Sequence, residues 1–583
     1  MNNRQITTLW STLLVEALIR QGVDFFCISP GSRSTPLTIA AARNPRARTK
    51  LFADERSAAF FALGYARATE MVAPLICTSG TAVANYFPAV VEASMDFQPM
   101  LIISADRPFE LLECGANQTI RQEHIFGSYT RWSMQLPTPS VEVPLTSLLS
   151  TVEYAVAKAL NTPAGVVHLN QPFREPFEPE SVAANNHAWW QSAQQWLASK
   201  AAHTTTTVEK KHPNNASITL LRQHLTTAKQ PLLIAGSMRC KDDAEAVAAL
   251  ANNLKIPLYA DFSSGLRMKS NLPPLQLLMQ SPAWRAAFHP DVVLHFGGNV
   301  VAKHLATALR EWQPAHYMVV REEPMRFSPD HNVTHRLEAS IAATAHALHN
   351  SRSTPLWRES EADHFFAQAA QELEGDVVAD QPITEISAAR LISRHIGTEQ
   401  ALFVSNSMAV RDMDMYAASL HEAGIPTAIN RGASGIDGIL STAAGFACGH
   451  GKSTTLLIGD IAFLHDLNAL SLLGSLTVPL QIVLLNNNGG GIFSFLPIAA
   501  CDDLFETYFA TPQHYSIPLA AETFGLHYAN PTTNSEFVAA YHQAQQSPQS
   551  TIIEVKSSRT NNLQHHRLLN ARLQAIAAKL FNG

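Results

Sequence analysis

Apolar runs of strand length recur along the whole 583-residue chain, and nearly all of them end in glycine, serine, asparagine or an acid. In the first third they are VDFFCISPG, LFADER, APLICTSG, MLIISAD and VVHLN. They are almost continuously apolar rather than alternating, which predicts strands buried on both faces of a parallel sheet. Helical patterns such as SAAFFALGYARAT lie between them. The theme returns in QPLLIAGS, IPLYAD, DVVLHFGG and HYMVVREE, and again in ALFVSNS, PTAINRG, TTLLIGD, PLQIVLLNNN and TIIEVKSS. The fold class is therefore α/β, with three doubly wound parallel-sheet domains. The expected boundaries are 1–184, a helix and polar linker over 185–217, a middle domain over 218–350, a connecting segment over 351–384, and a third domain over 385–583. The first and third domains share a pattern but not their letters.

Such a length exceeds what one core supports. Charged residues make up only 15% and the net charge is −6, with no basic excess of the kind nucleic acid requires. No apolar run approaches a membrane span. The opening MNNRQITTLW lacks a charged-then-apolar signal pattern. Six scattered cysteines with no CxxC read as reduced thiols of a cytoplasmic protein.

The densest chemistry lies in the last third. TTLLIGD is a strand ending in Gly459-Asp460, IAFLHDLNALSLL has helical spacing, and PLQIVLL is a strand that delivers Asn486, Asn487 and Asn488. This is one βαβ unit with polar groups at the carboxyl ends of its strands, the edge where such sheets bind ligands. The helix start after Gly459-Asp460 suits a phosphate. A carboxylate, a carboxamide oxygen and a backbone carbonyl form an all-oxygen shell, which magnesium prefers and completes with phosphate and water. A solvated Asn/Gly turn beside a helix-capping Asp uses the same letters. Two decoys fall away. GHGKST lacks the first glycine of a P-loop, and GASG brings its second glycine one residue early for a nucleophile elbow.

Anion-binding types gather at other strand ends: Ser32 and Arg33 in SPGSRSTP, Arg107 after MLIISAD, Gln118 and Arg121 in CGANQTIRQ, Ser407 and Arg411 in NSMAVR, and Arg431 in NRGASGIDG. Arginine forks suit carboxylates. Several in two domains point to a substrate carrying more than one.

The GD…NN spacing, with Asn487 27 positions after Asp460, resembles the thiamin diphosphate enzymes. The resemblance implies that Asp460, Asn487 and the carbonyl of Gly489 hold Mg2+ or Mn2+ and, with Gly459, the cofactor's diphosphate. It also implies a glutamate after the second strand of the first domain, facing the cofactor's pyrimidine. LFADERSAAFFALGYAR supplies Glu55, and TSGTAVANYFPAVVEA looks like the segment lining that site. Ile461 stands where the family often has glycine.

SPGSRSTP, ADERSAAFFALG, CGANQTIRQ, NRGASGIDG and NNNGGGIFSFLP together resemble one branch, the 2-succinyl-5-enolpyruvyl-6-hydroxy-3-cyclohexene-1-carboxylate synthases of menaquinone biosynthesis. That resemblance implies decarboxylation of 2-oxoglutarate and addition of the resulting carbanion to isochorismate. By the same likeness Glu55 and Gln118 are catalytic. Ser32, Arg33, Arg107, Gln118, Lys303, Ser407, Arg411 and Arg431 position substrate. Ile492, Phe493 and Leu496 form an apolar wall, and Ile436 buttresses the cofactor. His304 follows Lys303 where the family often has arginine. The family binds its cofactor between subunits, which implies a homodimer or homotetramer. An acetolactate-synthase-like carboligase or a 2-oxoacid decarboxylase is the alternative reading.

Overall fold

The computed structural model describes residues 1–181, 187–351, 357–422 and 424–582. The expected boundary at 184/185 and residues 352–356 of the connecting segment lie outside these. The first sheet contains β1 (Phe25–Ile28), β2 (Arg48–Leu51), β3 (Leu75–Cys77), β4 (Met100–Asp106), β5 (Thr130–Gln135) and β6 (Val166–Pro172). Its order is β2-β1-β3-β4-β6-β5, and all its pairings are parallel. The second holds β7 (Pro231–Ala235), β8 (Leu258–Ala260), β9 (Val292–Phe296), β10 (His316–Arg321) and β11 (His335–Glu338), in the order β11-β10-β9-β7-β8. The third holds β12 (Ala401–Val404), β13 (Thr427–Ala428), β14 (Thr454–Gly459), β15 (Leu480–Asn486), β16 (His527–Ala529) and β17 (Thr551–Lys556). Its order, β13-β12-β14-β15-β17-β16, repeats that of the first sheet strand for strand.

The strands with continuous apolar runs are the buried ones: every residue of β1, β3, β4, β6, β7, β9 and β12 is buried. Their two faces are covered by helices, which is why no polar alternation appears. β2 is offset from its expected place. It ends at Leu51, so most of LFADER is the turn and the start of the next helix. The expected helix after Asp460 is short, Asp460–His465, and the chain continues as a 3-10 helix over Leu467–Ser475. The helix expected in AWWQSAQQWLASK is present as Ala188–Ser199. Among the described residues no helix is long and apolar enough to cross a membrane.

Two compact units result. One is Met1–Glu209 with Asn430–Gly451 and Asn468–Leu476; the other is Lys210–Ile429, Lys452–Leu467 and Thr477–Gly583. Within the first, the helix Glu55–Thr69 packs against the helix Ile439–His450 at backbone contact distance. A Cβ on Gly64 would lie 1.9 Å from the Thr442 carbonyl oxygen, and one on Gly445 1.9 Å from that of Phe61. Only glycine permits this approach. The crossing brings the NRGASGIDG loop, with Arg431 and Ile436, into the unit that carries Glu55.

Candidate functional site

In the second unit β14 and β15 run side by side in parallel and end level, with Gly459 opposite Leu485. Asp460 begins the helix that follows β14 and is 3% exposed. Its Oδ1 accepts the amide of Ile461 (2.8 Å) and its Oδ2 the amide of Gly489 (2.8 Å), which ties the two strand ends together. Tyr515 donates its hydroxyl to the Asp460 carbonyl (2.9 Å). Burial pushes the Asp460 carboxyl up to about 6, against the pull of those amides and of Arg559.

The three asparagines after β15 do three different things. Asn486 donates to Glu554 of the neighbouring β17 (2.6 Å). Asn488 takes a left-handed conformation (φ 57°), which asparagine tolerates, and accepts the Gln513 amide (3.1 Å). Asn487 donates its Nδ2 to Glu385 (2.9 Å), while its Oδ1 is buried with no hydrogen-bond partner among the described residues. An unpaired buried amide oxygen costs about 1–3 kcal/mol. Gly489 has φ +138°, and a Cβ there would sit 2.1 Å from the Ala510 carbonyl oxygen. One carboxylate, one unsatisfied amide oxygen and the Gly489 carbonyl are hard oxygen donors, so this donor set fits a magnesium-like cation.

The other expected residues of this unit lie in or beside helices. Ser407 caps the helix Met408–Tyr416 with φ 68° and ψ −134°, and its carbonyl accepts the Arg411 guanidinium. Ile492 and Phe493 are in the 3-10 helix Gly491–Phe495, where the Phe493 ring meets that of Phe509 edge-on at 5.8 Å. Leu496 is exposed. Lys303 opens the helix Lys303–Trp312 and is exposed, while burial, Arg285 and Lys303 lower the adjacent His304.

In the first unit Glu55 is the first residue of its helix. The preceding Asp54 caps it by accepting the Arg56 amide (2.9 Å), and Asn468 donates to the same carboxylate. Ser79 joins two expected substrate residues: its hydroxyl accepts from Arg107 and its carbonyl accepts the Gln118 side chain (2.9 Å). Gln118 has φ 57°, a conformation that this bond helps to hold. Arg33 is buried, donates to the Phe173 carbonyl (2.8 Å) and pairs with Glu175 (3.1 Å). Burial and the nearby Arg107 lower its pKa. Ser32 beside it is exposed. Arg121 is instead a surface residue paired with Glu113 (2.7 Å). The loop bearing Arg431 and the exposed Ile436 is fixed by Glu92, which accepts the amides of Gly432 (2.8 Å) and Ala433 (2.7 Å). Glu92 in turn pairs with Arg67 (3.2 Å).

Several residues here have no sequence signature. Ser79 lies inside a recognised segment, but nothing marks it as a hub. Glu385 reads as an ordinary acid in a first helical turn, and Arg559 as a surface cation, although its Nη1 is buried beside Gly489.

Two parallel sheets of the same strand order, with hard oxygen donors at a strand-end edge of one, fit the thiamine pyrophosphate enzymes. Three profiles of that class match: the thiamine pyrophosphate enzyme N-terminal TPP binding domain over residues 10–125, the middle domain over 183–404, and the C-terminal TPP binding domain over 412–555. Within the class, the chain belongs to the 2-succinyl-5-enolpyruvyl-6-hydroxy-3-cyclohexene-1-carboxylate synthase family. The relative of that name from Pelodictyon phaeoclathratiforme is 63% identical, over 100% of this chain and 98% of its own. That from Chlorobium luteolum is 58% identical over the whole of both chains. An X-ray structure of a proposed thiamin diphosphate-dependent enzyme from Mycobacterium smegmatis shares the fold, with a TM-score of 0.70 and 16% identity over 96% of this chain and 100% of that one.

Proposed function

We propose that this chain is a thiamin diphosphate-dependent transferase. It decarboxylates 2-oxoglutarate and adds the four-carbon remainder to isochorismate, giving CO2 and 2-succinyl-5-enolpyruvyl-6-hydroxy-3-cyclohexene-1-carboxylate. The observation that carries this reading is the full-length likeness to chains named as that synthase. The donor set at Asp460, Asn487 and Gly489 agrees with it. Bound thiamin diphosphate supplies a nucleophilic carbon and an electron sink, the chemistry a 2-oxo acid needs to lose CO2.

The chain's own residues then divide the work. Asp460, Asn487 and the Gly489 carbonyl hold Mg2+ or Mn2+, with Gly459 and Ile492 beside the cofactor and Ile436 against it. Glu55 would hydrogen-bond the cofactor's pyrimidine ring and help to activate it. Arg33 and Arg107, buried and held by Phe173 and Ser79, are pre-organised for carboxylates at little entropic cost. Gln118 reaches the reacting groups from the same Ser79 anchor. Ser32, Lys303, Ser407, Arg411 and Arg431 supply further polar contacts, and Phe493 and Leu496 exclude water.

The assignment extends to organisation. Residues 1–184 form the pyrimidine-binding domain, 218–350 the middle domain and 385–583 the diphosphate and metal domain, joined by 185–217 and 351–384. Two chains share each cofactor, Glu55 from one and Asp460 from the other, in a homodimer or homotetramer. A cytoplasmic setting suits the six free cysteines.

The test is to combine purified protein with thiamin diphosphate, Mg2+ and 2-oxoglutarate and follow CO2 with and without isochorismate. Release that depends on isochorismate, with the adduct seen by mass spectrometry, is the expected result. Turnover of pyruvate without isochorismate would keep the cofactor and overturn the substrate pair.

A further inference from the structure

Asn487 is useful to a cation only with one of its two amide faces. Its carboxamide carries an acceptor oxygen and a donor nitrogen of nearly equal size, and a half-turn about the last side-chain bond exchanges them. Turned the wrong way, the residue would offer two N–H donors where oxygen is needed.

We infer that Glu385 is a positioning residue for the reaction: it holds the Asn487 amide with its oxygen toward the Asp460–Gly489 side. The inference rests on the metal-site reading above. Glu385 is 1% exposed and opens the helix Glu385–His395, whose Thr384 cap fixes the backbone at that point. Its Oε1 accepts Asn487 Nδ2 (2.9 Å) and also the Ser557 hydroxyl (2.7 Å). An acceptor oxygen that already takes one donor selects the nitrogen face of the amide. Reversal would set Asn487 Oδ1 against Glu385 Oε1, two buried acceptors at hydrogen-bond distance. The other face is consequently the oxygen, and that oxygen is buried and without a partner among the described residues.

Near Glu385 lie a second buried acid, Asp412, which disfavours its charge, and His566, which favours it. His566 bridges the Asp412 carboxylate (2.8 Å) and the Asn562 carbonyl (2.9 Å), and all three are buried. Phe495, just past the glycines, meets the His566 ring edge-on at 5.1 Å. A carboxylate buried in that setting needs a retained use, since an apolar residue of equal volume is often neutral or stabilising there. Outer partners of this kind commonly change metal affinity by about 10–100-fold.

The experiment is a Mn2+ titration followed by electron paramagnetic resonance, with thiamin diphosphate present, on the whole protein. Glu385→Met removes the acceptor at similar volume and should weaken Mn2+ by about 10–100-fold. Glu385→Gln still offers an oxygen to Asn487 and should stay within about threefold of the parent, a rescue that a purely structural role would not give. Glu385→Asp withdraws the acceptor by one methylene and replaces the Met variant if that one does not fold. In an Asn487→Ala background the Glu385 substitution should add little. Parent-like Mn2+ affinity in Glu385→Met or Glu385→Asp, alongside a large loss in Asp460→Ala, overturns the positioning role and leaves the metal site standing. Full Mn2+ affinity in Asp460→Ala and Asn487→Ala overturns the metal site itself.

Discussion

The Asp460 carboxylate accepts the backbone amide of Gly489 at 2.8 Å, across 29 residues of sequence. One oxygen thereby locks the loop after β15 to the end of β14, while the other accepts the Ile461 amide (2.8 Å); in the proposed metal site the same carboxylate also serves the cation.

Removing that carboxylate should therefore act on both the metal and the loop. Asp460→Ala is expected to lose Mg2+ and thiamin diphosphate together, read by equilibrium dialysis. Glu55→Gln separates binding from chemistry: cofactor affinity should stay within a few-fold while turnover falls by about 10²–10⁴, the range of one positioned acid–base group. If both variants kept parental activity, the assignment of Glu55 and Asp460 would be wrong.

The close crossing of the helices Glu55–Thr69 and Ile439–His450 carries its own prediction. Gly64→Ala places a methyl 1.9 Å from the Thr442 carbonyl oxygen, so the helices must separate. The expected loss is about 1–3 kcal/mol, as for overpacked cores. The effect reaches function because Glu55 begins that helix and the Arg431 loop precedes its partner. Unfolding temperature and kcat should both fall; an unchanged unfolding temperature would overturn the claim that only glycine fits at position 64.

What was legible in the sequence follows from where water is. Buried strands such as β4, MLIISAD, carry continuous apolar runs and are found at sight. Each sheet also has an edge strand that no run announces: β2 (RTKL) and β5 (TRWSMQ) in the first, β11 (HRLE) in the second and β16 (HYA) in the third. Each is an edge or next to one and mixes exposed with half-buried residues, so the apolar signal is gone. The site divides in the same way. Asp460, Asn487 and Glu55 stand at strand ends with a spacing that chemistry recognises. Glu385 and Ser79 each make two hydrogen bonds to residues distant in sequence, and contacts 28 to 172 residues away leave no local pattern. Arg121, in the same motif as Gln118, pairs with Glu113 at the surface, a partner that no spacing marks.

A pH dependence of stability is expected from Asp414. It is buried, accepts the Phe262 amide (2.9 Å) and the Gln276 side chain (3.2 Å), and lies near Asp261, Tyr259 and Arg267. Burial and Asp261 push its carboxyl up to about 8, although Arg267 and both hydrogen bonds oppose this. The folded state then holds a proton that the unfolded chain releases near the ordinary carboxyl value. Stability from this group is complete below that value, falls as pH rises, and is lost once pH passes about 8. The slope is about 1.4 kcal/mol per pH unit at most. Unfolding temperature should decline from pH 6 to 8 and level above it, and Asp414→Asn should flatten the decline. An unchanged profile in that variant would assign the dependence to another group.

Ser407 joins strain to function. Its φ of 68° with ψ −134° is backbone territory that glycine enters freely and serine does not. Such a conformation costs about 1–3 kcal/mol and persists only where surrounding structure enforces it. Here the enforcement is visible: the residue follows β12, caps the helix Met408–Tyr416, and its carbonyl is gripped by Arg411 from one turn ahead. If the proposed substrate site is right, the Ser407 hydroxyl and the Arg411 guanidinium beside it serve as anion contacts. Ser407→Gly should consequently stabilise the protein by about 1 kcal/mol, raising its unfolding temperature, while weakening substrate binding because the hydroxyl is gone. Ser407→Ala keeps the strain and loses the same hydroxyl, so it should show the higher KM without the gain in stability. Measuring KM for 2-oxoglutarate and for isochorismate in both variants then identifies which substrate the hydroxyl serves. Equal melting temperatures in the two variants would show that the backbone at Ser407 stores no strain.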